Sequence, residues 1–298
     1  MRRVAYILFF LMLGQIATVF PVSQQKTLKV VTRVTEKEYR FADEFLLDVN
    51  AEKASITIKV VSGNTVKLHL EQSAMNADVR VAESELNSIY FVEKKEKTRL
   101  YLHNYAQLKA SSSSLSSIIN NQYTLEVPRH CHIKIQNELG EVSITGQEST
   151  MRFDLNYCGL VINDSRGKLY VNSRIGDISL NNCHLNGEFI TENVNLKLQD
   201  VGGSFDVQSQ FGDFSCLLSD QVTLINAKLE QCPATLINRS DVSFSYAIEA
   251  TKADINILDM TLKQSLEKEA DEASLQIKNE EDVGTIIINS EYGDVNLY

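Results

Sequence analysis

The 298-residue chain has no tryptophan, only three prolines and only five cysteines. The scarcity of proline argues against a disordered stalk, and the missing tryptophan argues against a sugar-binding site built on an aromatic platform. No C-x-x-C pair occurs, which excludes the usual zinc and redox motifs. The odd number and irregular spacing of the cysteines make no disulfide framework, although export would permit a bridge (Cys131, Cys158, Cys183, Cys216 and Cys232).

Catalytic motifs and positive charge are also scarce. The chain contains no G-x-S-x-G elbow, no H-E-x-x-H and no glycine-rich phosphate loop. No pair of carboxylates can be nominated by spacing, so we predict no enzyme, no catalytic residues and no cofactor. Lysine and arginine number 29 against 39 acidic residues, a net charge of −10. This balance argues against nucleic acid or anionic lipid as partners.

Residues 1–25 have the layout of a secretory signal peptide. Arg2 and Arg3 precede the apolar run "VAYILFFLMLGQIATVF". An uncleaved membrane anchor is the alternative, because the run approaches the minimum length that spans a bilayer. Cleavage would leave no later apolar run of spanning length. We therefore expect an exported protein, located in the periplasm, on the outer membrane surface or outside the cell.

One line of sequence recurs along the chain. It alternates apolar and polar residues around a glycine and an acid: "IKIQNELGEVSI" (133–144), "LYVNSRIGDISL" (169–180), "FDVQSQFGDFSC" (205–216), "YAIEATKADINI" (246–257) and "IIINSEYGDVNL" (286–297). A weaker copy at 47–58 has Ala54 in the glycine position. Half-strength copies at 153–162 and 189–198 lie between strong ones, so the finer period is about 18 residues.

This repeat predicts an all-β fold. Alternation indicates strands with one buried face, and Gly-Asp indicates a corner. Such a unit buries a core only by stacking. We therefore expect a right-handed parallel β-helix, or β-solenoid, with coils of about 18 residues; a run of hairpins is the alternative. Cys216 takes the slot of Ile144 and Cys158 takes the slot of Leu139, so both should point into the core.

The remaining segments predict the domain organisation. Residues 26–108 read as an N-terminal β cap of antiparallel hairpins, "SITIKVVSGNTVKLHLEQS" and "SIYFVEKKEKTRLYLHNY". The Ser-rich loop 109–121 separates this cap from the solenoid at 122–298. Residues 263–274, "KQSLEKEADEAS", lack strand character and are expected to form an insertion with one short helix. Such insertions often bind partners; a solvated acidic loop is the alternative.

Three groups of polar residues are candidates for a site. His130 and His132 share a strand face and could chelate a metal, with Cys131 facing the core. No third ligand can be placed by spacing, so no metal site is predicted. The corner acids could line one edge and hold Ca²⁺, but they are sparse and turn capping is the simpler role (Glu141, Asp177, Asp213, Asp254 and Asp294). The polar side chains in the slot before the corner should form hydrogen bonds with backbone groups at the bend (Asn137, Ser173, Ser209 and Ser290).

The lines "NSRIGDISL", "QSQFGDFSC" and "NSEYGDVNL" resemble those of the bacterial "putative adhesin" family of exported β-solenoids. The resemblance covers residues 45–298 and is strongest at 123–216 and 286–298. It implies a fold and brings no catalytic residues to this chain.

Together these features predict a non-catalytic, exported binding or structural module of the cell envelope. Adhesin-like in character, it would bind a protein or glycan partner in the envelope or outside the cell. Two alternatives stay open. One is a periplasmic envelope-stress scaffold that binds another envelope protein. The other is a carbohydrate-active β-helix enzyme, whose mark would be carboxylates converging on one face.

Overall fold

The computed structural model describes residues 27–41, 44–107, 114–238, 242–279 and 283–298. The predicted signal peptide at 1–25 lies outside these ranges. Among the described residues, strand accounts for 72% and helix for 4%, which confirms the all-β class. The described strands are β1 (Lys29–Arg40), β2 (Leu46–Val61), β3 (Thr65–Asn76), β4 (Ile89–Lys95), β5 (Arg99–Ala106), β6 (Ile118–Pro128), β7 (His132–Thr145), β8 (Glu148–Asn163), β9 (Arg166–Asn181), β10 (His184–Gln199), β11 (Gly202–Gln210), β12 (Phe214–Leu218), β13 (Val222–Glu230), β14 (Ala234–Asn238), β15 (Ser245–Thr251), β16 (Ile255–Ile257), β17 (Leu266–Lys268), β18 (Glu272–Ile277), β19 (Thr285–Glu291) and β20 (Val295–Leu297).

Two short helices complete the description, α1 (Val79–Leu86) and α2 (Met260–Lys263). Asp78 caps the first turn of α1 by accepting a 2.9 Å hydrogen bond from the backbone N–H of Arg80. Within the described ranges, no helix reaches the length and apolarity needed to cross a bilayer.

The long strands are each divided into two arms by a corner. In β8 the buried positions are 151, 153 and 155 before the corner and 158, 160 and 162 after it. The buried residues therefore change from odd-numbered to even-numbered positions at the corner, a change of parity. As a result, both arms direct their apolar side chains into the same core. The same change occurs in β9 and β10. Later coils have separate strands for their arms, beginning with β11 and β12.

The arms stack into two parallel arrays. Across β8, β9 and β10, each residue pairs with the residue 18 positions later, as in Met151 with Leu169 and Leu169 with Gly187. First arms form one array, here called the first-arm sheet, and second arms form the second-arm sheet. The handedness of the stack stays a prediction.

The corner explains why glycines recur every 36 residues while coils recur every 18. A residue with positive φ stands at the corner of each of five successive coils (Leu139, Tyr157, Ile175, Asn193 and Phe211). In alternate coils a glycine follows it and also has positive φ (Gly140, Gly176 and Gly212). The intervening coils have Cys158 and Val194 at that position, both buried. Two corner conformations therefore alternate, and the complete repeat contains two coils.

This geometry corrects the expected register of one cysteine. Cys158 pairs with Gly140, so it occupies the glycine slot and not the slot of Leu139. The latter slot is held by Tyr157, and both Leu139 and Tyr157 are about half exposed. Cys158 nevertheless points into the core, as predicted. Cys216 lies in the expected slot, beside Leu198 and Leu236.

The last coil does not occupy the last place in the stack. β19 pairs in parallel with β13 on one side and with β15 on the other. Likewise, β20 lies between β14 and β16. The chain thus leaves one place open after β14, forms β15 and β16, and returns to fill the gap. Sequence alignment identifies each copy, but it does not say which copies are neighbours.

The secondary structure predicted for the insertion at 263–274 is wrong. β17 lies within it, and β18 begins in it and pairs antiparallel with both β17 and β15. The short helix α2 precedes it and overlaps only at Lys263. Glutamate and lysine favour helix in isolation, but β15 offers an open sheet edge, and pairing with that edge overrides the propensity.

The N-terminal cap contains one of the two predicted hairpins. β4 and β5 pair antiparallel around the charged turn, as expected. β2 and β3 are strands with a turn at 62–64 between them, but they are not partners, because β6 pairs with both. Strand β6 also begins at Ile118, inside the predicted Ser-rich loop 109–121. The Glu85 carboxylate holds that segment by accepting from the backbone N–H groups of Ser116 (2.9 Å) and Ser117 (2.6 Å).

Replacing Gly212 with alanine should destabilise the fold. Its φ is +88°, and an added Cβ would overlap the backbone carbonyl of Val194 in the preceding coil. We expect the free energy of unfolding to fall by about 2–4 kcal/mol in urea titrations. Gly159→Ala is the matched control, because the nearest atom to its added Cβ is Glu141 Cγ at 3.7 Å. Equal losses in the two variants would contradict this account of the corner.

The cysteines should be unreactive until the protein unfolds. All five are free and buried, and burial raises the pKa of Cys131 and of Cys216 to about 12. Since the thiolate is the reactive form, we expect Ellman's reagent at pH 8 to modify none of the five promptly in the native state. All five should react in guanidinium. Rapid native-state modification of even one thiol would show that its coil opens locally.

Candidate functional site

A groove of about 820 Å³ crosses the outer face of the first-arm sheet. It runs over seven strands in the spatial order β8, β9, β10, β11, β13, β19 and β15, and in most of them three consecutive residues line it. At a strand spacing of about 4.8 Å, six spacings give a length of about 29 Å. Because β19 lies between β13 and β15, the last part of the groove depends on the non-sequential stacking order.

Two rows of outward side chains, in register across the strands, form the groove. The first row comprises Asp154, Asn172, Ile190, Gln208, Lys228, Asn289 and Glu249. The second row comprises Asn156, Arg174, Glu192, Gln210, Glu230, Glu291 and Thr251. Amides recur in both rows. Ile190, in the first row, is a large apolar side chain that is exposed.

The groove is acidic and its polar contacts are solvent-exposed. Five carboxylates and two cationic side chains line it. Arg174 Nε lies 3.1 Å from Glu192 Oε2, and Asn172 Nδ2 donates to Asp154 Oδ1 at 3.3 Å. Exposed pairs of this kind contribute little to stability. These side chains are therefore available for binding at small cost to the fold.

Two buried oxygens among the lining residues have no hydrogen-bond partner in the described chain, Ser173 Oγ and Asn156 Oδ1. Most buried polar atoms in proteins have a partner, in the protein or in ordered water. The neighbouring coils satisfy theirs, because Thr191 Oγ1 donates to Ser209 Oγ at 2.9 Å. Both atoms are enclosed by the protein and have almost no exposed surface, so a ligand in the groove does not reach them.

The polar slot before the corner has the predicted role in two of its four members. Asn137 Nδ2 donates to the backbone carbonyl of Ala54 at 2.8 Å, and Ser290 Oγ donates to that of Gly293 at 2.5 Å. Of the other two, Ser209 Oγ accepts from the side chain of Thr191, and Ser173 Oγ has no partner in the described chain.

A stripe of aromatic rings lies on the outer face of the β4–β5 hairpin. Ring centroids are 5.9 Å apart between Tyr101 and His103, 5.2 Å between His103 and Tyr105, and 5.5 Å between Tyr105 and Tyr90, all near-parallel. His103 Nδ1 is 3.0 Å from the carbonyl of Asn50. A row of stacked rings therefore forms in a chain without tryptophan. The alternating "YLHNY" in β5 was the signal, since residues two apart share a strand face.

An ion pair between a buried aspartate and a partly exposed arginine stands beside this aromatic stripe. Asp48 is almost fully buried and bonds Arg99, whose guanidinium lies 5.7 Å from the ring centre of Tyr101. Asp48 Oδ1, the carboxylate's other oxygen, has no partner in the described chain. Breaking this contact would leave the charge of Asp48 buried without a partner, which is energetically costly. The pair therefore fixes the end of the hairpin to β2.

The histidine candidates do not come together with further ligands. His130 Nδ1 is 3.3 Å from the carbonyl of Glu148, and His132 Nε2 is 3.8 Å from Glu44 Oε2. Cys131 between them is buried, as the alternation predicts. In the part of the chain that the structure describes, no three His, Cys, Asp or Glu side chains are grouped as metal ligands would be.

The corner acids Glu141, Asp177 and Asp213 stand in alternate coils, whereas Asp254 and Asp294 stand in neighbouring coils. Gly159 separates Glu141 from Asp177 in the register, and Asn195 Nδ2 donates to Asp177 Oδ1 at 2.8 Å. At the other end, Asp294 Oδ1 accepts from the backbone N–H of Asp254 at 2.9 Å. These contacts suit a role in holding corners together.

No protein-family model matches the chain, and no curated protein matches it either. Solved structures with some likeness include a "putative cell adhesion protein" from Clostridium sporogenes (12% identity, 89% of this chain and 99% of that one, TM-score 0.27). A "putative adhesin" from Bacteroides fragilis has 9% identity, coverage of 91% and 97%, and a TM-score of 0.35. A "putative lipid binding protein" from Parabacteroides distasonis has 12% identity, coverage of 89% and 96%, and a TM-score of 0.34. Such TM-scores do not carry a function, and the proposal below depends on the chain's own residues.

Proposed function

We propose that this protein is a non-catalytic, exported binding module of the cell envelope, an adhesin-like right-handed β-solenoid with coils of about 18 residues. Its binding surface is the groove, which takes a protein or glycan partner. The observation that carries the proposal is the pair of in-register polar rows on the first-arm sheet. Strands paired on both sides hold these rows, and a rigid scaffold lowers the entropic cost of binding.

Export is supported by the signal-peptide layout of residues 1–25, and it places the protein in the periplasm, on the outer membrane surface or outside the cell. The negative net charge and the acidic groove disfavour nucleic acid, whose binding needs clustered lysine and arginine.

A carbohydrate-active enzyme is the second candidate, and one observation favours it. Glu230 and Glu291 are register neighbours in the second row, with Cα atoms about 4.8 Å apart. Glycosidases use a pair of carboxyl groups. Both side chains are exposed, however, whereas a general acid is usually kept protonated by burial or by a specific partner. Glu230→Gln with Glu291→Gln would abolish turnover in an enzyme and leave a binding module able to bind.

The first experiment tests location. Intact and lysed cells are treated with protease, and the protein is followed with an antibody. Loss from intact cells is expected for a surface adhesin, and survival until lysis for the periplasmic scaffold. Detection in the cytosolic fraction alone would contradict export.

The second experiment tests the groove. Asn172→Ala with Gln208→Ala removes two amides from the first row, and we expect the variant to pellet with envelope fragments about tenfold more weakly than wild type. Asn181→Ala with Gln199→Ala is the matched control, because it removes the same two side-chain types from the second-arm sheet. Undiminished pelleting of the groove variant would refute the assignment of the groove as the binding surface.

A further inference from the structure

We propose that the groove binds a neutral, hydroxyl-rich polysaccharide whose chain lies across the strands. This inference depends on the proposed function, since it names the ligand class of the same groove. It also assigns the aromatic stripe of Tyr90, Tyr101, His103 and Tyr105 as an extension of the same binding surface.

The donor and acceptor groups of the groove match hydroxyls. A carboxamide presents an acceptor oxygen and two donor hydrogens, and a sugar hydroxyl both donates and accepts. Asn172, Gln208 and Asn289 stand in the first row, and Gln210 stands in the second. All four amides are exposed to solvent. A polyol can therefore form hydrogen bonds with the amides of both rows.

Charge and apolarity argue against the competing ligand classes. Five carboxylates against two cations repel a polyanion such as a sulfated glycan. A protein partner usually buries an apolar core within its interface. In the groove only Ile190 is a large, exposed apolar side chain, which is too little for such a core. A neutral glycan needs neither positive charge nor an apolar centre.

The spacing of the rows also fits a repeating polymer. Equivalent positions recur about every 4.8 Å across the strands, which is comparable to the advance of an extended pyranose chain per sugar. Successive sugars can therefore lie over successive coils, with amides at Asn172, Gln208 and Asn289. About six sugars would fill the groove.

The aromatic stripe continues the same outer face. His103 pairs with Asn50, Asn50 with Gln136, and Gln136 with Asp154 at the start of the first row. Three spacings, about 14 Å, thus separate the stripe from the groove. Tyr90 is 43% exposed. The electron-rich ring face attracts the C–H groups of a sugar as it attracts other positive edges, so a longer chain gains contacts there.

The test uses the purified mature chain and affinity electrophoresis in gels that contain dextran, mannan, galactan or a mixed-linkage β-glucan. Heparin is the anionic control. We expect retardation by at least one neutral polymer and none by heparin. Asn172→Ala with Gln208→Ala should weaken binding about tenfold, while Asn181→Ala with Gln199→Ala should leave it unchanged. Retardation by none of the neutral polymers, or equal retardation of the groove variant, would overturn the inference.

Oligosaccharides of increasing length make the test sharper. Affinity should rise up to about six sugars and rise again for chains long enough to reach the aromatic stripe. Tyr90→Ala should remove only the second rise. An affinity that is independent of chain length would overturn the proposed placement of the chain.

The failure of this inference can be told apart from the failure of the proposed function. Envelope fragments are treated with periodate, which cleaves vicinal diols, or with protease. Pelleting is groove-dependent when Asn172→Ala with Gln208→Ala weakens it. If such pelleting survives periodate but is lost after protease, the glycan inference is overturned and the proposed binding function is retained. Pelleting that does not depend on the groove would overturn both.

Discussion

The close approach of successive backbones at the corner is the constraint on which the rest of this structure depends. At Gly140, Gly176 and Gly212 the chain passes so near the preceding coil that a Cβ would overlap its backbone carbonyl. Hydrogen bonding between coils requires that approach, and the turn requires a left-handed residue just before it. A side chain is tolerated only in the alternate corner conformation. The 36-residue spacing of glycines is therefore a consequence of backbone contact.

The corner also decides which side chains face outward. It changes the parity of buried positions, so that both arms of a coil contribute to one core and both present polar residues to solvent. Because both corner conformations change the parity in the same way, equivalent outward positions align from strand to strand. Rows of outward, mostly polar side chains then arise without any element devoted to forming a site. The groove is a product of this alignment, and a flexible loop is not needed to build it.

Several features could be predicted from local pattern because their causes are local. Alternation places Cys131 and Cys216 in the core, and the charged turn between β4 and β5 makes a hairpin. Other predictions failed where a distant partner decided the outcome. Strand β6 separates β2 from β3, and the edge of β15 converts residues rich in helix formers into strands. The aromatic stripe arises from the alternation of Tyr101, His103 and Tyr105 on β5 together with the pairing of Tyr105 with Tyr90 on β4, and only the first of these is local.

The sequence by itself determined the all-β class, the repeating corner and the inward positions of the cysteines, since each depends on backbone conformation and side-chain alternation within a few residues. Only the tertiary structure decided the order of the coils and the groove. The last copy of the repeat pairs with β13 and β15, and no local property distinguishes this order from a sequential one. Every copy offers the same backbone ladder to its neighbours, so the position of Asn289, Glu291 and Ser290 beside Lys228 and Glu230 follows from long-range packing alone.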